Sequence, residues 1–203
     1  MTKITILGNS LSALCAAHRI LDLKPEAKIS IITDSAEIGL SGEIPGIVSN
    51  WPPCPSHWLS DMASQTPATS STAVRGSWLI KAMGIQLSKR GCKFHLRTRV
   101  TEATENAVRF VGAGPLGKGS FRTDYLLDLK QDSRESARWY GFVCRTADAP
   151  RFRCRSTALA PSPDQVFHGE LNPRTCPRGS NVFDICNSTW VEDMCGLPSS
   201  LLL

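Results

Sequence analysis

The residues best suited to chemistry lie near the start of the chain, where a short apolar run ends in glycine. Residues 3–7 lead into Gly8, and small residues recur at Ser10 and Ala13. Where a strand turns into a helix, three such positions allow a sharp bend, the close approach of a pyrophosphate, and tight helix–strand packing. The N–H groups that open the helix then face the ligand, and the helix dipole favours negative charge. The spacing predicts a phosphate-binding turn.

An acidic residue extends this pattern. Asp34 follows a second apolar run, residues 28–33, and lies 21 positions after Ala13. A carboxylate placed there can accept hydrogen bonds from the ribose of an adenine dinucleotide. The alternative is a strand–helix–strand unit in which Ser10 only caps the helix and Asp34 only belongs to a turn. The predicted dinucleotide-binding residues are Gly8, Asn9, Ser10, Leu11, Ser12, Ala13 and Asp34.

The hydrophobic pattern supplies the elements that must position these residues. Residues 3–7 and 28–33 are β-branched runs of strand length, and apolar positions between Leu11 and Leu21 recur at helical spacing. Pro25 lies just beyond this helix, where it serves as a stop signal. A strand, helix and strand of this size form a β-α-β unit with parallel strands and a right-handed connection.

The next part of the chain alternates between irregular and regular segments. Residues 35–73 are rich in glycine, proline, serine and threonine, which predicts a long connection of the kind that is often functional. Four further elements follow: a helix over 74–90 and strands over 92–100, 107–111 and 120–129.

Together these features resemble the large family of FAD-binding Rossmann oxidoreductases, which includes the glutathione reductase-like and amine oxidase-like flavoproteins. In that family the backbone of a valine at the end of a strand contacts the adenine, so the resemblance implies FAD as the cofactor and adds Val100 to its site. The segments that carry the resemblance are Gly39-Leu40-Ser41-Gly42, Arg97-Thr98-Arg99-Val100, a β-meander over 100–121, and the last parallel strand Tyr125-Leu126-Leu127-Asp128.

The chain departs from the family pattern at two points. Leu129-Lys130-Gln131 stands where the family has Ala-x-Gly, and the family's late Gly-Asp motif has no clear match. The resemblance covers residues 3–129. We therefore predict a dinucleotide-binding domain over 1–129 and a small C-terminal portion over 130–203 that lies on the substrate side or binds a partner.

The fold class expected for the whole chain is α/β, a Rossmann-like parallel sheet with an antiparallel β-meander and a small mixed C-terminal portion. Short strands are predicted at 139–144 and 182–186. The expected function is an FAD-dependent oxidoreductase acting on a small-molecule substrate, with no catalytic residue that can be named. The alternatives are a non-catalytic dinucleotide-binding subunit that needs a partner chain, and an NAD(P)-linked reductase, which the meander and Val100 disfavour. Homo-oligomer formation is left open.

Composition excludes several other classes. The net charge of +5 is scattered, so no nucleic-acid partner is expected, and no apolar run reaches the length of a membrane span. The chain is expected to be cytoplasmic, with its eight cysteines as free thiols. No metal is predicted, because the spacing of the late cysteines fits no zinc pattern. His57, Trp51 and Trp58 form either a substrate or flavin contact or, as the better interpretation, a packed aromatic cluster.

Overall fold

The computed structural model describes residues 1–40, 45–47, 51–62, 66–69, 73–112, 117–130, 138–145, 156–159, 165–170 and 182–186. In chain order the elements are β1 (Lys3–Leu7), α1 (Leu11–Leu23), β2 (Lys28–Ile32), β3 (Pro45–Ile47), a 3-10 turn (Ser56–Trp58), β4 (Ala73–Arg75), α2 (Gly76–Lys89), β5 (Lys93–His95), β6 (Thr98–Thr104), β7 (Ala107–Gly112), β8 (Lys118–Arg122), β9 (Tyr125–Asp128), β10 (Arg138–Arg145), β11 (Ser156–Leu159), β12 (Gln165–Glu170) and β13 (Val182–Cys186).

A parallel sheet with the strand order β5-β2-β1-β9 organises the first 130 residues. The predicted β-α-β unit is present, since β1 and β2 pair in parallel with Lys3 opposite Lys28 and Leu7 opposite Ile32. The chain crosses over through α1 between these two strands. All four strands end at the same edge of the sheet, where ligands of open α/β folds bind.

The two faces of this sheet are covered differently because side chains alternate along a strand. Ile4 and Ile6 of β1, with Ile29 and Ile31 of β2, form the face that packs into the main core with α1 and α2. Helix α1 is buried at nine of its thirteen positions, so it contacts neighbours on more than one side.

The opposite face carries a three-stranded antiparallel meander of β6, β7 and β8. Leu7 and Ile32, at the carboxyl ends of their strands, pack there against Val108 of the meander. The meander therefore covers the half of this face that adjoins the strand ends. The predicted meander over residues 100–121 is confirmed, with bounds of Thr98–Arg122.

Four strands after residue 130 form a separate antiparallel sheet in the order β11-β12-β10-β13. The strands predicted at 139–144 and 182–186 correspond to β10 and β13. The pattern of the sequence did not reveal β11 and β12, which are short and lie among proline-rich segments. Residues 130–138 are polar, which predicts a loop, and they lie almost entirely outside the described residues.

Two predicted strands were wrong in their extent. The strand predicted over 92–100 is two strands, β5 and β6, separated by a turn in which Arg97 has φ of +49°. The chain leaves the parallel sheet there and begins the meander. The strand predicted from the hydrophobic pattern over 120–129 is likewise divided into β8 and β9 at Thr123 and Asp124. The resemblance had already separated a meander that ends at residue 121 from a last parallel strand Tyr125-Leu126-Leu127-Asp128, and this strand is β9. Neither break contains glycine or proline, which are the strongest turn signals.

A polar cluster, the Asp22 cluster (His18, Asp22, His57, Trp58 and Arg90), fixes the connection between β2 and α2. Asp22 accepts hydrogen bonds from Trp58 Nε1 at 2.7 Å and Arg90 Nη2 at 2.6 Å, and it lies 3.0 Å from His57 Nε2. Burial acts to raise the pKa of Asp22, but the hydrogen bonds from these three side chains outweigh it and lower that pKa. The cluster joins the C-terminal half of α1 to the crossover and to the end of α2.

Candidate functional site

A cleft of about 350 Å³ lies at the carboxyl ends of the central strands, where the sequence predicted a ligand site. Its lining comes from four segments of the chain. They are the turn after β1 (Gly8 and Asn9), the end of β2 (Ile32, Thr33 and Asp34), the start of β6 (Thr98, Arg99 and Val100), and Lys130 after β9. Four of the eight predicted site residues are therefore brought together: Gly8, Asn9, Asp34 and Val100.

Gly8 makes the sharp turn from β1 towards α1. Its φ is +106°, and a Cβ at this position would lie 2.6 Å from the carbonyl oxygen of Leu129 and 2.8 Å from Lys130 Cα. Only glycine avoids both the unfavourable φ and this backbone contact. The Gly8 N–H donates to the Ile32 carbonyl at 2.8 Å, which anchors the turn to the end of β2. Gly8 thus holds three strand ends together at the cleft.

Ser10 is the N-cap of α1, as the alternative interpretation of this residue proposed. Its Oγ accepts from the Ala13 N–H at 3.3 Å and donates to the Leu129 carbonyl at 2.9 Å. Both contacts are with the protein, so the hydroxyl is occupied on the interior side of the turn. A serine is therefore accommodated at the position where the dinucleotide pattern has its second glycine.

The other predicted residues of the first turn do not line the cleft. Leu11 and Ala13 lie in the first turn of α1, and their side chains are buried in the main core. Ser12 is half-buried in the first turn of the helix. Ala13 allows close packing of the helix, which is the role predicted for the third small position. These three residues position the helix N-terminus behind Asn9.

Asp34 lies in a short turn that ties the end of β2 to the start of the meander. The Thr33 N–H donates to the His95 carbonyl, and the Thr98 and Arg97 N–H groups donate to the carbonyls of Thr33 and Ser35. Asp34 itself is exposed, and within the described part of the chain its carboxylate has no hydrogen-bond or ion-pair partner. A free acceptor of this kind at the cleft suits the hydroxyl groups of a ribose.

Val100 lies on the other wall of the cleft, in β6. Its half-buried side chain packs against the small core of Leu7, Ile32 and Val108, and the pairing of β6 with β7 is irregular between Val100 and Glu102. A bulge of this kind turns backbone groups away from the ladder. The arrangement is compatible with a backbone contact from Val100 to a ligand in the cleft.

Two cations at the cleft, Arg99 and Lys130, were not among the predicted site residues. Both side chains are exposed, and Lys130 Nζ lies 3.3 Å from Asp128 in an exposed pair that contributes little to stability. Lys130 could have been found from the sequence, because β9 runs parallel to β1 and the residue after it must lie at the same edge. These two cations and the adjacent N-terminus of α1 favour an anion in the cleft.

These features fit the adenosine and pyrophosphate part of a dinucleotide. The cleft offers a free carboxylate for the ribose, two cations for the phosphates, and a glycine turn that directly precedes the positive end of α1. No acidic side chain occupies the first turn of α1 to compete for its N–H groups. At about 350 Å³ the cleft is at the lower end of the size range of small-molecule sites.

The other side chains considered from the sequence lie elsewhere. Trp58 is 2% exposed and stacks on His18 at 5.1 Å, which agrees with the interpretation as a packed aromatic cluster. The helix spans about 18 Å between the positions of Ser10 and Asp22, at 1.5 Å per residue, so this cluster is remote from the glycine turn.

The described residues contain neither a cluster of metal ligands nor a membrane-spanning helix. No group of three or more His, Cys, Asp or Glu side chains there is placed to hold a metal ion. Cys15, Cys54 and Cys92 are buried, whereas the late cysteines considered for zinc lie where side chains are not described. Among the described helices, none has the length and apolar character needed to span a membrane.

No protein-family model and no curated protein matches this chain. Solved structures do match. AlpK is 14% identical with a TM-score of 0.53, over 86% of this chain and 45% of its own. CabE, an aromatic hydroxylase from angucycline biosynthesis, is 12% identical with a TM-score of 0.53, over 88% of this chain and 44% of its own. BexE, studied for oxidation during BE-7585A biosynthesis, is 10% identical with a TM-score of 0.50, over 82% of this chain and 43% of its own.

This chain spans less than half of the length of these three structures. The matches to AlpK and CabE cover 86–88% of the 203 residues, which is more than the first 130 residues alone could supply. They therefore include part of the chain that follows Lys130, the last residue that lines the cleft. At these identities the likeness concerns the fold. The α/β fold with a Rossmann-like parallel sheet and an antiparallel meander, predicted from the resemblance to FAD- and NAD(P)-binding flavoproteins, is confirmed.

Proposed function

We propose that this chain is the cofactor-binding part of an FAD-dependent oxidoreductase whose substrate is a small molecule. The observation that carries the proposal is the cleft in which the glycine turn, Asp34, Val100 and two cations converge at the carboxyl ends of parallel strands. The fold shared with structures that include an aromatic hydroxylase supports the same general kind of chemistry.

The residues of the cleft would divide the binding of FAD between them. Asp34 would accept hydrogen bonds from the adenosine ribose, and the backbone of Val100 would contact the adenine. The N-terminus of α1, with Arg99 and Lys130, would hold the pyrophosphate. When bound, the flavin supplies the redox chemistry, so this part of the chain needs to bind and orient the cofactor and to exclude water around it.

The proposal is tested by the colour of the purified protein. Oxidised flavin absorbs in the near-ultraviolet and blue, so the protein as isolated, or after incubation with FAD and gel filtration, should show both bands. FMN and NAD⁺ serve as comparison ligands in a titration. Retention of FAD at about one equivalent supports the proposal, whereas tighter binding of NAD⁺ would favour the NAD(P)-linked alternative.

We expect Asp34→Ala to weaken FAD binding by about 1.5–3 kcal/mol, the range for a hydrogen bond to a charged group. Asp34 is exposed and unpartnered among the described residues, so the free energy of unfolding without FAD should change by less than about 0.5 kcal/mol. Titration calorimetry and urea unfolding measure the two quantities.

Glu105→Ala provides the matched control for Asp34→Ala. Glu105 is also exposed, but it lies in the turn between β6 and β7 and does not line the cleft. Glu105→Ala should leave the affinity for FAD and the free energy of unfolding unchanged. Equal affinities of the Asp34 variant and the wild type would remove Asp34 from the site.

A second candidate function is a non-catalytic dinucleotide-binding subunit that needs a partner chain. The departure at Leu129-Lys130-Gln131 favours it, because the backbone at Leu129 and Lys130 closes directly on Gly8 and leaves no small residue at this second approach to a cofactor. The test is whether bound flavin can be reduced by a biological donor under anaerobic conditions. Flavin that binds but is reduced neither by NADH or NADPH nor by any small molecule in a substrate screen would support this subunit function over an enzyme.

The division into residues 1–129 and 130–203 is retained as a proposal with one refinement. The Leu129 N–H donates to the Leu7 carbonyl at 2.9 Å, and Ser10 binds the Leu129 carbonyl, so Leu129 belongs to the dinucleotide-binding unit. Because Lys130 lines the cleft, we propose that the functional unit includes it too. The later strands would then provide the substrate side or a partner surface.

A further inference from the structure

A second cleft, the basic groove, lies at the opposite end of the parallel sheet from the glycine turn. Its volume is about 540 Å³, which is within the usual range of small-molecule sites. The floor is the half of the sheet face that the meander leaves uncovered, and β8 forms one wall. Four exposed cations line it: Lys3, Lys28, Lys93 and Arg122.

The register of the sheet forces these cations together. Lys3 is directly opposite Lys28 across the β1–β2 pair, and Lys93 is opposite Ser30, two residues along β2 from Lys28. Neighbouring strands in a sheet are about 4.8 Å apart. The Lys3 and Lys28 side chains therefore project side by side from the same face of the sheet. Like charges directly opposite each other destabilise a sheet.

The positive charge of the groove is only partly offset by described carboxylates, since Glu26 lies in the lining and Asp124 accepts a hydrogen bond from the Lys3 N–H at 2.8 Å. Within the described part of the chain none of the four cations forms an ion pair. Arg90 also lines the groove, but its guanidinium is committed to Asp22. Glu26 is the one acidic residue of the lining.

A histidine on the same face adds no charge at neutral pH. His95 lies two residues along β5 from Lys93, and its ring contacts Phe121 at 4.6 Å. Burial lowers the pKa of His95, and Lys93 lowers it further. The positive charge of the groove at neutral pH therefore comes from its lysine and arginine side chains and not from His95.

We infer that the basic groove is a second binding site, for a small anion that carries two or more phosphate groups. Four cations within one cleft match an anion with several charges, and each ammonium group binds phosphate oxygens as a point charge. The small size of the groove does not suit nucleic acid, and its His95 and Phe121 rings contact each other instead of forming a strip along it. Such a ligand would also relieve the repulsion between Lys3 and Lys28.

The test uses inorganic tripolyphosphate, titrated calorimetrically into the full chain at low ionic strength. Lys28→Gln with Lys93→Gln should weaken binding at least about tenfold, equivalent to about 1.4 kcal/mol. Without ligand this double variant should be no less stable than the wild type, because it removes repulsion and no ion pair. Binding should also weaken as salt is added, and orthophosphate should bind more weakly than tripolyphosphate.

Lys118→Gln is the matched control, because it removes an exposed lysine of β8 that lies outside both clefts. It should change the affinity less than about twofold. Lys130→Gln removes a cation of the glycine-turn cleft and so identifies any tripolyphosphate that binds there instead. Three results would overturn the inference: no binding by the wild type, equal losses in the Lys118 variant, or a loss in the Lys130 variant with none in the double variant. The first two do not bear on FAD binding, which is measured in its own titration, and the third would place the anion at the glycine turn.

Discussion

Replacing Gly8 by alanine should lower the free energy of unfolding by about 2–5 kcal/mol. The φ of +106° costs a residue with a Cβ about 1–2 kcal/mol. The added methyl group would also lie 2.6 Å from the Leu129 carbonyl oxygen, and overpacking of this kind costs about 1–3 kcal/mol. The atoms in the way are backbone, so no side-chain rotation can relieve the contact.

Gly91→Ala separates the two contributions. Gly91 has a similar φ of +89°, but a Cβ there would meet no atom within 4 Å. This variant should therefore lose only the conformational part, about 1–2 kcal/mol. Urea unfolding of both variants at neutral pH gives the comparison. If the two losses were equal, the close approach of Leu129 to Gly8 would have no energetic consequence and the account of the turn would be wrong.

The contact between Gly8 and Leu129 also shows which part of the site the sequence could predict. The β-branched runs, the helical spacing after Leu11 and the acidic Asp34 are local patterns, and the structure has the elements that they indicated. The partner of Gly8 lies about 120 residues away in the chain. Its identity depends on strand order, which local hydrophobic periodicity does not encode.

The same limit explains the residues that were missed. Arg97 takes a left-handed conformation at the turn between β5 and β6, although arginine is not a residue that signals such a turn. One continuous strand was therefore predicted where the chain passes from the parallel sheet into the meander. The tertiary structure, in which Arg97 and Thr98 donate to the backbone at Ser35 and Thr33, holds this turn.

The predicted set of cofactor-binding residues included every residue of the first turn from Gly8 to Ala13, whereas the structure divides them. Gly8 and Asn9 face the cleft, while Leu11 and Ala13 are in the core. A motif defines spacing along the chain, but the side on which each residue lies follows from the direction of α1. The basic groove was likewise hidden, because its lysines are scattered in sequence and meet only through strand register.

His18 illustrates a buried polar group whose partners the sequence did not indicate. It falls on the predicted apolar face of α1, and it is completely buried. Arg90 Nη1 donates to His18 Nδ1 at 2.9 Å, and Nε2 lies 3.1 Å from the Met83 carbonyl. Because arginine only donates, Nδ1 must accept and Nε2 must carry the proton. Both ring nitrogens of the neutral imidazole are thereby satisfied.

This environment opposes protonation of His18. Burial is the largest cause, and with the adjacent Arg90 it outweighs the opposing effects of the Met83 hydrogen bond and Asp22, so the pKa of His18 is lowered from 6.5 to about 4. Protonation would place a second proton on Nδ1, against the N–H of Arg90. The folded chain therefore keeps this histidine neutral at pH values where the unfolded chain would protonate it.

We expect the free energy of unfolding to fall as the pH is lowered from about 6.5 to about 4. Above this window neither state binds the proton, so His18 adds no pH dependence to the stability. Within it the unfolded state binds the proton and the folded state does not, so stability rises with pH. A pKa difference of this size corresponds to on the order of 3 kcal/mol at the acid end of the window.

Urea unfolding at pH 7.5, 6, 5 and 4.5 measures this dependence, and His18→Gln identifies its source. Glutamine keeps a donor and an acceptor in the site but does not titrate, so the variant should be less stable at pH 7.5 and should lose most of the decline towards acid. His57→Gln is the matched control, because His57 belongs to the same Asp22 cluster but its side chain is 58% exposed. The pKa of His95 is also lowered, so His95 should add to the loss of stability in acid. The variant His95→Gln measures this contribution, which should be smaller than that of His18. A decline that survives in the His18 variant would show that His18 is not what makes the fold sensitive to acid.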